Sequence, residues 1–152
     1  MIPSVARPNI DRKCIIYTPT RSMTQEITYK LGKYLDGIAL HSLDIITLVG
    51  TMTKEEKAFY TNAFLTDETV PDYNPHIMCA TSGVGNAGID SHGIGYVIRL
   101  GMPESIFDIY QEKGRAGIYL NANAMDYKYV LCFLLEDLVY LYKRAMDCLH
   151  SI

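Results

Sequence analysis

Apolar and β-branched residues in this chain gather in five short runs, and between several of them the apolar positions recur every three or four residues. The run Lys-Cys-Ile-Ile-Tyr at 13–17 closes on Thr18-Pro19-Thr20, which predicts a buried strand ending in a turn. Met23, Ile27, Leu31, Tyr34 and Leu35 then fall at helical spacing, so a helix is expected over 21–35, with Gly37 as its stop. A second unit repeats the scheme. Residues 44–49 read as a strand, and Thr53-Lys-Glu-Glu56 has the capping-box pattern of a helix running to about Leu65. The polar, proline-bounded stretch 66–75 predicts a loop longer than the usual four to six residues. Residues 76–80 and 96–100 read as two more strands on either side of the glycine-rich stretch 81–95. A helix over 104–113 ends at Gly114, and a last strand near 128–133 precedes a helix with Leu135, Leu138, Leu141, Tyr142, Ala145 and Leu149 on one face. Strand runs that are apolar almost throughout, alternating with helices, predict an α/β fold: three α/β/α layers around a mainly parallel sheet.

Composition bounds what this domain does. At 152 residues the chain has length for one full-sized domain, expected over 13–150, with the proline-bearing 1–12 as a linker. Nearly half the residues are hydrophobic and 20% are charged, enough to build a core. The net charge of −3 excludes a polybasic binder and confines nucleic-acid contact to a few loops. Cys14, Cys79, Cys132 and Cys148 stand singly, without the spacing of a disulfide framework or zinc knuckle, and are expected as reduced thiols mostly in the core. His41, His76, His92 and His150 show no ligand spacing either, so no metal is expected on this chain. The longest apolar run, 129–135, is far short of the roughly 20 residues that span a bilayer, and the N-terminus has no apolar signal core; neither secretion nor a membrane segment is expected.

In sheets of this kind ligands gather beyond the carboxyl ends of the strands, which directs attention to 18–21, 50–53, 81–95 and 101–105. Gly83-Val-Gly-Asn-Ala-Gly88 matches the dinucleotide pattern and follows a strand, with Asp108 twenty positions on. That fingerprint needs a helix to open at the glycines, however, and only seven residues, two of them glycine, separate Gly88 from the next strand. A dinucleotide-binding oxidoreductase domain is therefore the least favoured alternative. Gly32-Lys33 lies inside a helix and lacks the flanking residues of a Walker A loop, while Asp67-Glu68 sits in a loop and not at a strand end. A complete nucleotide-hydrolysing site is not expected from this chain by itself.

Four stretches taken in order carry a resemblance: Ile15-Ile-Tyr-Thr-Pro-Thr-Arg21, Leu48-Val-Gly-Thr51, Thr81-Ser-Gly-Val-Gly-Asn-Ala-Gly-Ile-Asp90 and Tyr110-Gln-Glu-Lys-Gly-Arg-Ala-Gly117. Their order and spacing resemble the C-terminal RecA-like lobe of superfamily 2 helicases, nearest the RecQ group, the first, third and fourth standing for motifs IV, V and VI. Residues 13–117 are covered, and 129–144 resemble the strand and helix that close the lobe. The resemblance implies an ATP-dependent 3′-5′ DNA helicase, with Arg115 and Gln111 as catalytic residues, and Gly88, Asp90 and Arg115 at the nucleotide. Thr20, Arg21, Gly50 and Thr81 would lie on the nucleic-acid backbone, at a junction of single strand and duplex. ATP and Mg2+ would be held mainly by an N-terminal lobe in cis or in trans, and the location would be intracellular, nuclear in a eukaryote. The sequence departs from the family in three places: Ile118 stands where a second motif VI arginine is usual, 81–90 is one residue longer than usual, and Leu48-Val49 replaces a histidine-bearing approach to Gly50. A truncated or degenerate lobe that binds nucleic acid or protein without catalysis is the main alternative. Thr20 also suits a helix N-cap, Thr81 and Asp90 suit turns, and Arg115 suits a solvated position after a helix.

Overall fold

The computed structural model describes residues 13–39, 44–65, 75–84, 94–103, 105–116 and 128–151. In chain order the elements are β1 (Lys13–Thr18), α1 (Arg21–Gly37), β2 (Asp44–Leu48), α2 (Lys54–Leu65), β3 (Pro75–Thr81), β4 (Ile94–Leu100), α3 (Ile106–Lys113), β5 (Lys128–Cys132) and α4 (Leu135–His150). The five strands form one sheet in the order β2-β3-β1-β4-β5, and every pairing is parallel. The expected three-layer α/β architecture is the one observed, with element ends within about two residues of those read from the sequence.

Parallel register aligns side chains of one parity into rows across the sheet. Ile46, Met78, Ile15, Val97 and Tyr129 form one row, and Leu48, Ala80, Tyr17, Arg99 and Leu131 the next. With Phe64 of α2 and Ala116, most of these residues make the buried core on one face. Lys13 joins it by laying its ammonium over the Phe64 ring, 5.6 Å from the centroid. Thr47, Cys79, Ile16, Ile98 and Val130 alternate with them and face the other way. That second face meets α1, where the Thr28 hydroxyl lies 3.1 Å from that of Thr47. The central strand β1 is therefore enclosed on both sides, which is why its sequence is apolar at consecutive positions.

The helix ends follow local rules. The Thr53 amide donates to Glu56 Oε2 at 2.8 Å and the Glu56 amide donates to Thr53 Oγ1 at 3.1 Å, the reciprocal box read in the sequence. Helix α1 runs through Gly37, and the left-handed residue beyond it is Ala39, at φ 59°. One expectation needs correction. Of the four cysteines only Cys79 is buried and Cys14 half-buried; Cys132 and Cys148 are exposed, because β5 is an edge strand and α4 buries none of its residues. The apolar row of α4 forms as predicted but stays open among the described residues, with Leu135 75% exposed. No helix of the described residues is long and apolar enough to cross a membrane.

Candidate functional site

β1 ends in two successive residues, Tyr17 and Thr18, that face opposite sides of the sheet. Each anchors a separate polar cluster. On the α1 side the Thr18 and Thr24 hydroxyls are 2.5 Å apart, and Thr24 Oγ1 is 3.0 Å from Thr81 Oγ1 at the end of the neighbouring β3. Ser82 donates to the Thr18 carbonyl from both its amide, at 2.9 Å, and its hydroxyl, at 3.0 Å, tying the two strand ends together. Thr20 is the N-cap of α1, extended at φ −134° and ψ 153°, and its Oγ1 accepts from the Met23 amide at 3.2 Å. A capping hydroxyl still has its own proton to donate, so the cap leaves Thr20 able to bond a phosphate oxygen.

Arg21 follows at the exposed first position of α1, whose first turn carries no acidic residue. Gly50, in the turn after β2, is exposed, and a Cβ there would lie 3.8 Å from Val84 beyond the end of β3. Lys57, which the sequence reading missed, donates to the Gly50 carbonyl at 3.2 Å. The four residues expected on a nucleic-acid backbone are thus brought together at the carboxyl ends of adjacent strands β2, β3 and β1. Thr20, Arg21 and Gly50 are exposed and Thr81 half-buried. Hydroxyl, amide and guanidinium donors in one patch suit phosphate oxygens.

On the opposite face Tyr17 lies beside β4 and the end of α3. Helix α3 starts at a Ser105–Asp108 capping box and ends at Gly114, where a Cβ would come within 3.2 Å of the Tyr110 carbonyl oxygen. The Arg115 amide donates back to the Glu112 carbonyl at 3.1 Å and the Ala116 amide to that of Lys113 at 3.2 Å, a tight turn that delivers Ala116 to the core. Arg115 is half-buried, and its guanidinium lies close enough to the Tyr17 phenol to favour the phenolate. It is not the solvated arginine that its place after a helix suggested. Gln111, four residues earlier on α3, is exposed.

Behind Tyr17 is a buried ion pair, with Arg99 Nη1 2.7 Å from Glu112 Oε1 and the two side chains 1% and 0% exposed. The Tyr129 hydroxyl donates to Glu112 Oε2 at 3.1 Å, and Arg99 Nε donates to the Gly101 carbonyl at 3.3 Å. Burial pushes the Glu112 carboxyl above the ordinary range, against the pull of Arg99. Burial likewise pushes the Tyr17 phenol up to about 12, although the Arg115 guanidinium beside it favours the anion. Tyr17 is therefore a neutral phenol at pH 7. Tyr17, Arg99, Glu112 and Tyr129 were not singled out from the sequence. Arg99 was the available signal: a cation inside an apolar strand run, at a core-facing parity, demands a buried partner.

Gly88, Asp90 and Ile118 lie outside the described residues, as do Gly85 and the rest of 85–93. Gly83, which is described, has a φ of 82°, the left-handed region that favours glycine, as a turn at the end of β3 requires. Among the described residues no group of three or more His, Cys, Asp and Glu side chains is placed to hold a metal ion.

The same architecture occurs in solved helicase structures. The Mycobacterium smegmatis helicase Lhr, solved bound to ssDNA and AMP-PNP, superposes with a TM-score of 0.62 at 20% identity over 84% of this chain and 16% of that one. The Pyrococcus furiosus Hef helicase domain does so with a TM-score of 0.57 at 20% identity over 89% of this chain and 25% of that one. In sequence, 104 residues are 35% identical to the bifunctional 3'-5' exonuclease/ATP-dependent helicase WRN of Mus musculus, which is 68% of this chain. The chain spans only 6% of that relative's length. Residues 2–118 match the family described as helicase conserved C-terminal domain, and it is to this family that the chain, with its RecA-like sheet and a RecQ-type relative, belongs.

Proposed function

We propose that the chain works as the C-terminal lobe of an ATP-dependent 3′-5′ DNA helicase, completing the ATP site from one side and holding the DNA backbone at a junction of single strand and duplex. One observation carries this: Arg115, in the stretch Gln-Glu-Lys-Gly-Arg-Ala-Gly, is half-buried beside Tyr17 of β1, while Thr20, Arg21, Gly50 and Thr81 gather at the carboxyl ends of β1, β2 and β3. In this reading Arg115 reaches the γ-phosphate, Gln111 lies beside it, and Gly88 and Asp90 meet the nucleotide. A guanidinium placed where charge develops on the transferring phosphoryl is worth about 10³ to 10⁵ in rate. Among the described residues no group of three or more His, Cys, Asp and Glu side chains could hold a metal ion, and Mg2+ and the triphosphate would be held by an N-terminal lobe. In a eukaryotic cell the complete enzyme would work in the nucleus.

The test is DNA-stimulated ATPase activity of this chain fused to a competent N-terminal helicase lobe. Arg115→Ala should cut turnover by about 10³-fold or more. Activity within twofold of the unaltered fusion would overturn the assignment. The purified chain by itself should turn over no ATP. A second reading, a lobe that binds without catalysis, is favoured by Ile118, since isoleucine brings no cation to a position where the family usually has arginine. An inert fusion that gains activity on Ile118→Arg would support this second reading, and substantial equal activity in both would exclude it.

A further inference from the structure

We propose that Glu112 is a positioning residue for Gln111 and Arg115: held by Arg99 and Tyr129, it fixes the place from which both side chains leave the end of α3. The proposal deepens the catalytic reading of Arg115 and Gln111 given above and rests on it. Helix α3 has eight residues, too few to keep its shape or place without tertiary contacts. A short surface helix usually docks through an apolar stripe. Here Ile106, Phe107 and Tyr110 are exposed instead, and the one buried residue of α3 is Glu112.

A carboxylate fixes position in a way that an apolar contact does not, because its hydrogen bonds have direction. Glu112 Oε1 accepts from Arg99 Nη1 of β4 at 2.7 Å and Oε2 accepts from the Tyr129 hydroxyl of β5 at 3.1 Å, so the two oxygens are tied to neighbouring strands. Arg99 is itself held: its Nε donates to the Gly101 carbonyl at 3.3 Å, and the Gly101 amide donates to the Cys132 carbonyl of β5 at 2.7 Å. From Glu112 the hold passes into the main chain, where its carbonyl accepts from the Arg115 amide at 3.1 Å. Gln111 precedes Glu112 directly, so both side chains leave within one turn of the anchored residue. Stability alone does not call for this arrangement, since an apolar pair of similar volume is often as stable as a buried ion pair. What such a pair lacks is the directional hold, and displacing a catalytic group by about 1 Å can cost about 10²-fold in rate.

The test separates placement from stability in the two-lobe fusion. Arg99→Met/Glu112→Leu should melt close to the parent yet lose about 10²-fold in kcat, with the ATP KM within about threefold. Glu112→Gln strands the Arg99 charge but keeps an acceptor for Arg99 and a polar partner for the Tyr129 hydroxyl, so it should melt below the double variant and yet turn over faster. Tyr129→Phe removes the Oε2 bond alone and should lower kcat by a smaller factor, about tenfold. In the chain without its fusion partner, amide hydrogen exchange at Arg115 and Ala116 should speed by about tenfold or more in the double variant relative to the amides of β1. Unchanged exchange at those two amides would overturn the anchoring. Activity that follows stability, with the double variant faster than Glu112→Gln, would overturn the positioning role, as would an unchanged kcat in the double variant of a fusion that Arg115→Ala inactivates. An unchanged kcat in Arg115→Ala would overturn the functional reading of Arg115, and this proposal with it.

Discussion

Replacing Arg99 by methionine would leave the Glu112 carboxylate, fully buried at the end of α3, with the Tyr129 hydroxyl as its one side-chain partner among the described residues. Removing one member of a buried ion pair strands the other charge, which costs about 3–5 kcal/mol. Because the Arg99–Glu112 contact is 2.7 Å with both side chains at or below 1% exposure, the loss should fall within that range and take up a large part of a stability of about 5–15 kcal/mol. Glu112→Leu should cost a similar amount by stranding Arg99. The double variant Arg99→Met/Glu112→Leu should recover most of it, since a buried ion pair and an apolar replacement of similar volume are often close in free energy. Urea unfolding of the four proteins followed by circular dichroism gives the coupling, expected to exceed about 2 kcal/mol. Burial already holds the Glu112 pKa above its ordinary value, and losing Arg99 raises it further. An acid whose folded-state pKa is raised destabilises the fold above that pKa and does so less as the pH falls through it. The Arg99→Met deficit should therefore shrink as the pH falls through the further-raised Glu112 pKa of the variant. Single variants that each cost under about 1 kcal/mol, or a double variant no better than the sum of the two, would refute the reasoning.

Gly101→Ala should destabilise the fold by about 1–3 kcal/mol, because φ there is 77° and the new Cβ would stand 3.2 Å from Pro19 Cγ; urea midpoints measure it. Ala39→Gly should raise stability by about 0.5–1 kcal/mol in the same assay, since a φ of 59° strains an L-residue by more than the glycine entropy takes back. Stability should fall with rising pH between 10 and about 12, where unfolded Tyr17 loses a proton that the folded state keeps; the slope attributable to Tyr17 approaches about 1.4 kcal/mol per pH unit and should be absent in Tyr17→Phe. Thr53→Ala should cost about 1 kcal/mol through loss of the α2 cap, read by thermal unfolding.

The order of elements was legible because each strand is an apolar run and each helix repeats its apolar positions, so local composition alone marks them. The clusters at the end of β1 were less so. Thr24 meets Thr81 across 57 positions and Arg99 meets Glu112 across 13, and both are contacts of a helix with a strand, set by tertiary packing that no local pattern encodes. Thr20 was read as either cap or phosphate ligand; it is the cap, with a hydroxyl proton to spare. Cys132 and Cys148 were misjudged because hydrophobicity predicts burial only where another element covers the residue, and α4 buries none of its own.

Tyr17 and Thr18 are bonded neighbours, about 3.3 Å apart along the strand, yet one lies on the face of Arg115 and the other on that of the threonines beside Arg21. Both are fixed to a strand hydrogen-bonded on its two edges, so the end of β1 behaves as a stiff crossbar with a load at either side. A push on the guanidinium would be felt at the hydroxyl cluster as displacement of the whole bar, not as local give. Communication between the two faces would then need no hinge inside this domain.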